Sequence, residues 1–284
     1  MAQDALYVIG AMYNSLTKAE KKVADVVLKK PQQIPLMSIS DLAELAGVGD
    51  STVFRFCQTL QYKGYQDFKM GVLKSLPHDR SVSLALDEEI HPGDTLAEVA
   101  DKVLAANISA LGETRNLLDL AQLDRAVDMM VKADKIMIVG AGLSLLTGFD
   151  AFNRFLRITP KVKCTFDTHL QAVEAALSGP GDLALVISFS GLTRDTVDST
   201  RIAKESGASV LAITRYLKSP LTDYADVTLI SGANEGPLQG GSTTVKMSQL
   251  YLLDILYVEY FRRTTEVSMP NKEKGAAAIL GRMY

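Results

Sequence analysis

The sequence predicts an all-α N-terminal domain joined to an α/β body built on a doubly wound, mostly parallel sheet with helices on both faces. Two observations carry that prediction. Up to about Leu76, every periodic apolar segment recurs at helical spacing. Beyond Asp124, short continuous apolar runs alternate with amphipathic stretches across glycine-containing turns, the pattern of strands feeding helices. The chain of 284 residues is long enough for both domains to hold a core. Its net charge of -3 is uneven: residues 1–80 sum to +2 and the remainder to -5. A mildly basic front on an acidic body points toward a nucleic-acid contact.

In the front domain, assigned to 1–77, Leu6, Ile9, Tyr13 and Leu16 form one apolar stripe. Ala19, Val23, Val26 and Val27 form the next, after a Thr17 cap. Pro31 and Pro35 end that helix. Ser40 is read as the cap of a third helix over Asp41–Ala46; Gly47-Val48-Gly49 is a turn, and a further helix runs from about Ser51 to Leu60. Two short helices joined by a glycine turn are the helix-turn-helix pattern. In the second of them, Val53, Phe56, Cys57 and Leu60 share the face expected to be buried. The opposite face carries Ser51, Arg55 and Gln58, with Thr52 and Thr59 at its edges. These side chains suit base edges and phosphates, Arg55 bidentate contact with guanine above all. Lys63 and Lys69 follow as phosphate contacts. An amphipathic helix pair with a merely solvated outer face has the same periodicity.

The run Ile39-Ser40-Asp41-Leu42-Ala43, Ser51-Thr52-Val53-Phe54-Arg55-Phe56-Cys57-Gln58-Thr59-Leu60 and Gly64-Tyr65-Gln66-Asp67-Phe68-Lys69 closely resembles the N-terminal domain of RpiR-type bacterial transcription regulators. The resemblance implies binding to double-stranded operator DNA. Two departures stand out: Gly49 where that family often has Ser, and Gln61 where a Gly usually ends the recognition helix.

Residues 78–94 are polar and weakly patterned and read as a linker; His78 and His91 lie there without partners at ligand spacing. A long amphipathic helix is expected over 95–123, with Leu96, Val99, Val103, Ala106 and Ala110 on one side.

The body is assigned to 124–264, with 265–284 as a C-terminal tail. Strands are expected at Lys135–Val139, Lys161–Phe166, Leu183–Ile187, Ser209–Thr214 and Asp226–Ser231. Helices are expected from the Gly140-Ala141-Gly142-Leu143-Ser144 turn to about Arg157, over Ala172–Leu177, from about Thr193 to Ser206, and from near Ser242 past Tyr260. Ligands of such sheets bind at the carboxyl ends of strands where the strand order reverses. The turn Ser188-Phe189-Ser190-Gly191-Leu192-Thr193 ends one strand and opens a helix, so short hydroxyls and free N–H groups form an anion cradle. No Lys precedes its Ser and Thr, which argues against a nucleotide P-loop. The first loop lacks the third glycine of a dinucleotide fingerprint, since Leu145 occupies that place. It offers instead Gly142 and Ser144 as a second hydroxyl-plus-amide wall. Gly240-Gly241-Ser242-Thr243-Thr244 is a candidate third wall, and Glu235 a candidate acceptor for sugar hydroxyls or a solvated loop acid.

These two loops together resemble a SIS (sugar isomerase) domain over about 108–262. The resemblance implies that Ser188, Ser190 and Thr193, with help from Ser144, hold the phosphate of a phosphosugar. It also implies a regulator of carbohydrate metabolism with a phosphosugar effector, acting as a homodimer or homotetramer. The alternative is a phosphosugar isomerase, for which Glu235, His169 and Asp195 are the candidate acid–base groups. Cys57 and Cys164 sit in apolar patterns far apart, and no metal set or cofactor motif is read. With neither a leader pattern nor an apolar run of membrane length, a cytoplasmic location is expected.

Overall fold

A computed structural model of the chain describes residues 5–76, 90–233 and 242–281. Contacts divide it into two compact units, residues 1–105 with 234–242 and residues 106–233 with 243–284.

In the first unit, the described residues up to 76 form helices α1 (Ala5–Met12), α2 (Lys18–Lys29), α3 (Ile39–Ala46), α4 (Asp50–Thr59) and α5 (Tyr65–Ser75). Their apolar faces close on one core around Ile9, Val23, Val27, Leu42, Val53, Phe56 and Phe68. Phe56 meets Phe68 edge-to-face with centroids 5.6 Å apart, the favoured quadrupolar arrangement. Helix α2 starts at a capping box in which Thr17 accepts from the Glu20 N–H and Glu20 accepts from the Thr17 N–H. Helix α3 also starts at a capping box, but at Ser38 with Asp41 rather than at Ser40. The expected Ser40 cap is therefore wrong by two residues, because Asp41 at the third helical position reaches back to Ser38. The Ser40 hydroxyl instead donates to Asp50 at 2.6 Å and ties α3 to the start of α4.

Lys69 is likewise not a phosphate contact. It is buried, and its Nζ donates to the Met37 carbonyl at 2.9 Å while lying over the Tyr65 ring. Burial, only partly offset by Asp41, lowers its pKa to about 8. The side chain faces inward to hold the segment that leads into α3.

The predicted linker falls largely on residues outside the described ones. The long helix after it, α6, spans Leu96–Leu117 and stops short of the expected end. Asp119 accepts from the Ala121 and Gln122 N–H groups and opens a separate helix, α7 (Leu120–Lys132). In the second unit, the C-terminal turns of α6 pack through Ala110 beside Ala233 and Val245, and Thr114 accepts from the Gly232 N–H.

The body is a five-stranded, wholly parallel sheet in the order β2-β1-β3-β4-β5. The strands are β1 (Lys135–Gly140), β2 (Val162–Cys164), β3 (Asp182–Ile187), β4 (Ser209–Thr214) and β5 (Val227–Ile230). Helices α8 (Gly142–Phe155), α9 (Thr168–Ala176), α10 (Arg194–Glu205) and α11 (Thr243–Arg263) connect or follow them. Alternate residues of the central strands serve opposite cores. Ile136, Ile138, Leu183, Leu185 and Ile187 face the layer that includes Phe155, Leu252 and Leu256. Met137, Val139, Ala184 and Val186 face the layer that includes Ala175 and Ala203. A strand buried on both faces has no polar alternate, which is why these runs read as continuously apolar. Strand β2 is shorter than expected, three residues rather than six. Residues Thr265–Leu280, read from the sequence only as a tail, form helix α12, anchored by Asn271 donating to the Ile158 carbonyl.

Candidate functional site

The strand order places two loops side by side. Chain connections run from β1 outward to β2 and then back across to β3, so the direction of winding reverses between β1 and β3. Gly140 at the end of β1 pairs in register with Ile187 at the end of β3. The loop carrying Gly142 and Ser144 and the loop carrying Ser188, Ser190 and Thr193 therefore start one strand spacing apart, about 4.8 Å. Gly140 is tight: a Cβ there would lie 3.0 Å from the Ile187 carbonyl oxygen. Gly142 has φ +54° and Gly191 φ +64°, the left-handed region that glycine occupies at least cost.

Within the second loop, Ser188 is buried and its Oγ accepts from the Gly191 N–H at 3.2 Å; the Ser190 Oγ accepts from the Leu192 N–H at 3.2 Å. Each hydroxyl keeps its own proton to donate. The loop rests on β4 and the residues beyond it. Phe189 O accepts from Arg215 N–H and from the Thr214 hydroxyl, while Gly191 O accepts from Leu221 N–H.

Two helix starts without a side-chain cap lie together at this end of the sheet, although α4, α5 and α12 also begin without one. Helices α2, α3, α7 and α9 begin at Thr17, Ser38, Asp119 and Asp167, each with a side chain accepting from a first-turn N–H. Helices α8 and α10, which open from the two switch-point loops, begin at Ala141 and Thr193 with no side-chain cap. Their first-turn donors and positive dipole ends face the loops without an internal acceptor, the arrangement that an oxyanion satisfies.

A residue that sequence reading missed holds the first loop in place. Strand β2 stops at Cys164, opposite Ile138, and leaves the outer edge of Gly140 without a strand partner. The buried Gln171 carboxamide fills that position. It accepts from Gly140 N–H at 3.2 Å and donates to Gly140 O at 3.0 Å and to Thr165 O at 2.8 Å. No sequence signal identifies a glutamine in a helix as a substitute for strand backbone.

The isomerase candidates His169 and Asp195 are both exposed at helix starts; Glu235 lies outside the described residues, as do Gly240 and Gly241 of the third wall, while Ser242 precedes α11, which opens at Thr243. Burial pushes the Cys57 thiol up to about 12 and Cys164 up to about 11, so both are neutral thiols. Among the described residues, no group of three or more His, Cys, Asp or Glu side chains is arranged to hold a metal ion. No described helix is long and apolar enough to cross a membrane.

The first unit carries a second surface. On α4, Val53, Phe56, Cys57 and Leu60 are buried while Ser51, Arg55 and Gln58 are exposed, with Thr52 half-buried at the edge. The N-cap Gly49 provides no side-chain cap, so the start of α4 also offers open N–H donors. The turn before it is closed by Gly47 at φ +61°, its N–H bonded back to α3. Lys63 is exposed beyond the other end. Thr59 donates to Glu20 at 2.8 Å, which anchors the last turn of α4 to the capping box of α2. Burial pushes the Glu20 carboxyl up, but hydrogen bonds from Thr17 and Thr59 outweigh it and hold the group below its ordinary value. Gln61, just past this helix, has φ +66°, a conformation that L side chains adopt only at a cost.

Residues 3–79 match the helix-turn-helix domain of the rpiR family, and residues 129–259 match the SIS domain. An HTH-type transcriptional regulator of Haemophilus influenzae is 37% identical over 273 residues, covering 96% of this chain and 95% of that one. The HTH-type transcriptional regulator HexR of Pseudomonas aeruginosa is 34% identical over 249 residues, covering 87% of this chain and 86% of HexR. The solved structure of Vibrio vulnificus NanR complexed with ManNAc-6P has a TM-score of 0.86 at 28% identity, over 99% of this chain and 100% of that one. With the α4 surface in its first unit and the switch-point loops in its second, the chain belongs to the RpiR family of helix-turn-helix transcription regulators that carry a SIS domain.

Proposed function

We propose that this regulator binds double-stranded operator DNA through α4 and that a phosphosugar at the switch-point loops sets its operator affinity. The observation that carries the effector half is the pair of uncapped helix starts, α8 and α10, on neighbouring strand ends. The phosphate sits against the Ser188, Ser190 and Thr193 hydroxyls and the first-turn N–H groups, with Ser144 and Gly142 on the facing loop. The sugar hydroxyls reach toward the β1 loop. That NanR was solved with ManNAc-6P supports a phosphosugar of this class as the ligand.

In the DNA half, Arg55, Gln58, Ser51 and Thr52 contact base edges and flanking phosphates, and Lys63 holds a phosphate. The regulator acts in the cytoplasm as a homodimer or homotetramer that presents paired recognition helices to successive major grooves. Ligand and operator are coupled only by as much as the ligand discriminates between two arrangements, typically about 1–3 kcal/mol, or roughly 5–150-fold in operator affinity.

A thermal-shift panel of hexose and N-acetylated amino-sugar phosphates, ManNAc-6P among them, tests this directly, since a ligand of the folded state raises its apparent stability. Ser188→Ala with Ser190→Ala is expected to abolish the shift and the effector response while operator binding persists. If no phosphosugar shifts the wild type, the effector assignment fails.

A further inference from the structure

The open face of α4 has an apolar edge that its polar residues do not account for. At about 100° per residue, Phe54 stands roughly 40° from Gln58 and roughly 60° from Ser51, on the side of that face opposite Thr52 and Thr59. The core of this unit is filled by Phe56 and Phe68, both fully buried, whereas Phe54 lies outside that cluster and is 42% exposed. A single exposed ring would mean little elsewhere on the surface; its place on the base-reading face is what gives it a partner. One edge of the ring is held. A Cβ built on Gly64 would meet Phe54 Cε2 at 3.6 Å, so the ring rests beside the turn that carries the exposed Lys63 into α5. Gly64 has φ 170°, extended backbone that any residue adopts, so the backbone does not require glycine there. A larger side chain would begin in contact with the ring, and glycine leaves that surface uncovered.

In the major groove, the apolar group that a base pair presents is the 5-methyl of thymine. We infer that Phe54 reads thymine, with its ring against the 5-methyl group of a base beside the pair that Arg55 or Gln58 contacts. Because the turn already holds the ring, docking costs little further ordering. The inference rests on the assignment of α4 as the DNA-reading helix. It adds to that assignment a base preference that the hydrogen-bonding groups of Arg55, Gln58 and Ser51 do not supply.

The test uses the full chain and a duplex that it selects from a random-sequence pool. Each thymine of that duplex is replaced singly by deoxyuridine, which removes the methyl group and leaves every hydrogen-bonding edge as it was. Wild-type affinity is expected to fall about fourfold at a thymine beside the bases that α4 contacts, the worth of one buried methyl group. Phe54→Ala is expected to bind the unsubstituted duplex more weakly by about that factor or more, and to be indifferent to deoxyuridine at the same position. If the alanine variant loses its helical circular dichroism, Phe54→Gln must show the same indifference with the dichroism intact. A wild type that tolerates deoxyuridine at every position, or folded Phe54 variants that keep the wild-type sensitivity, would overturn the inference while leaving α4 in the interface. Arg55→Ala on the same duplex separates the two readings. If it binds as the wild type does, the α4 assignment itself fails and takes this inference with it.

Discussion

Replacing Gln171 by Leu isolates the support beneath the first loop. The side chain is buried and makes three hydrogen bonds, two to Gly140 and one to Thr165. Leucine fills much of the same volume but strands the Gly140 N–H, the Gly140 carbonyl and the Thr165 carbonyl. A buried backbone group left unpaired costs about 1–3 kcal/mol. Even at the low end, three such groups sum to about 3 kcal/mol, and a domain of this size loses about 2–4 °C of Tm per kcal/mol. The expected fall is therefore roughly 6–12 °C, read by the circular-dichroism melt of the full chain. Phosphosugar affinity is expected to fall with it, because the origin of the Gly142 loop is no longer fixed, whereas operator binding at low temperature is unaffected. Gln171→Glu sharpens the test. Its carboxylate faces two carbonyls, so that variant is expected to regain stability as the pH falls and the protonated acid becomes a donor. A Gln171→Leu melt within about 2 °C of wild type would refute the argument, since no set of three broken buried bonds is that cheap.

Lys69 has a folded-state pKa lowered to about 8 from 10.5. Between those values the unfolded chain holds a proton that the folded domain has released, so stability rises with pH across that window. The slope approaches about 1.4 kcal/mol per pH unit for this group alone. Urea melts at two pH values in this range, compared with Lys69→Met, are expected to show the rise only in the wild type. Gln61→Gly relieves a left-handed L residue and is expected to stabilise the first unit by about 1 kcal/mol in urea melts; a loss of stability would mean that the side chain makes a compensating contact. Arg55→Ala is expected to weaken operator binding by about 1–3 kcal/mol and relax base preference at one position, while Lys63→Ala reduces the salt slope by about one. Unchanged binding in a mobility-shift titration of Arg55→Ala would remove α4 from the interface.

Much of this architecture was legible along the chain because it depends on neighbours in sequence. Apolar spacing alone separated the helical front from the strand-and-helix body, and the buried and open faces of α4 followed from its 3.6-residue period. Strand-to-helix turns located both Ser-bearing loops, motif resemblance marked position 61 as a glycine site, and the φ of Gln61 supplies the physical reason for that glycine. The readings that failed involved competition between nearby residues or contact between distant ones. Ser38 and Ser40 both precede an apolar run, and only the reach of Asp41 decides which one caps α3. Lys69 reads as a phosphate contact until α5 turns it toward the Met37 carbonyl.

By itself, then, the sequence determined which segments are helices and strands, which faces are apolar, and which loops carry hydroxyls, since all of these repeat within a turn or a strand of their neighbours. Only the tertiary structure decided that the two loops lie together. Their adjacency comes from the β2-β1-β3 order, in which strands separated by more than forty residues pair. It also decided that Gln171 completes the edge that β2 leaves open, and that α8 and α10 leave their first-turn donors uncapped. Long-range backbone pairing depends on how whole elements pack and not on any local pattern, so a loop's partner across the sheet is not written in its own residues.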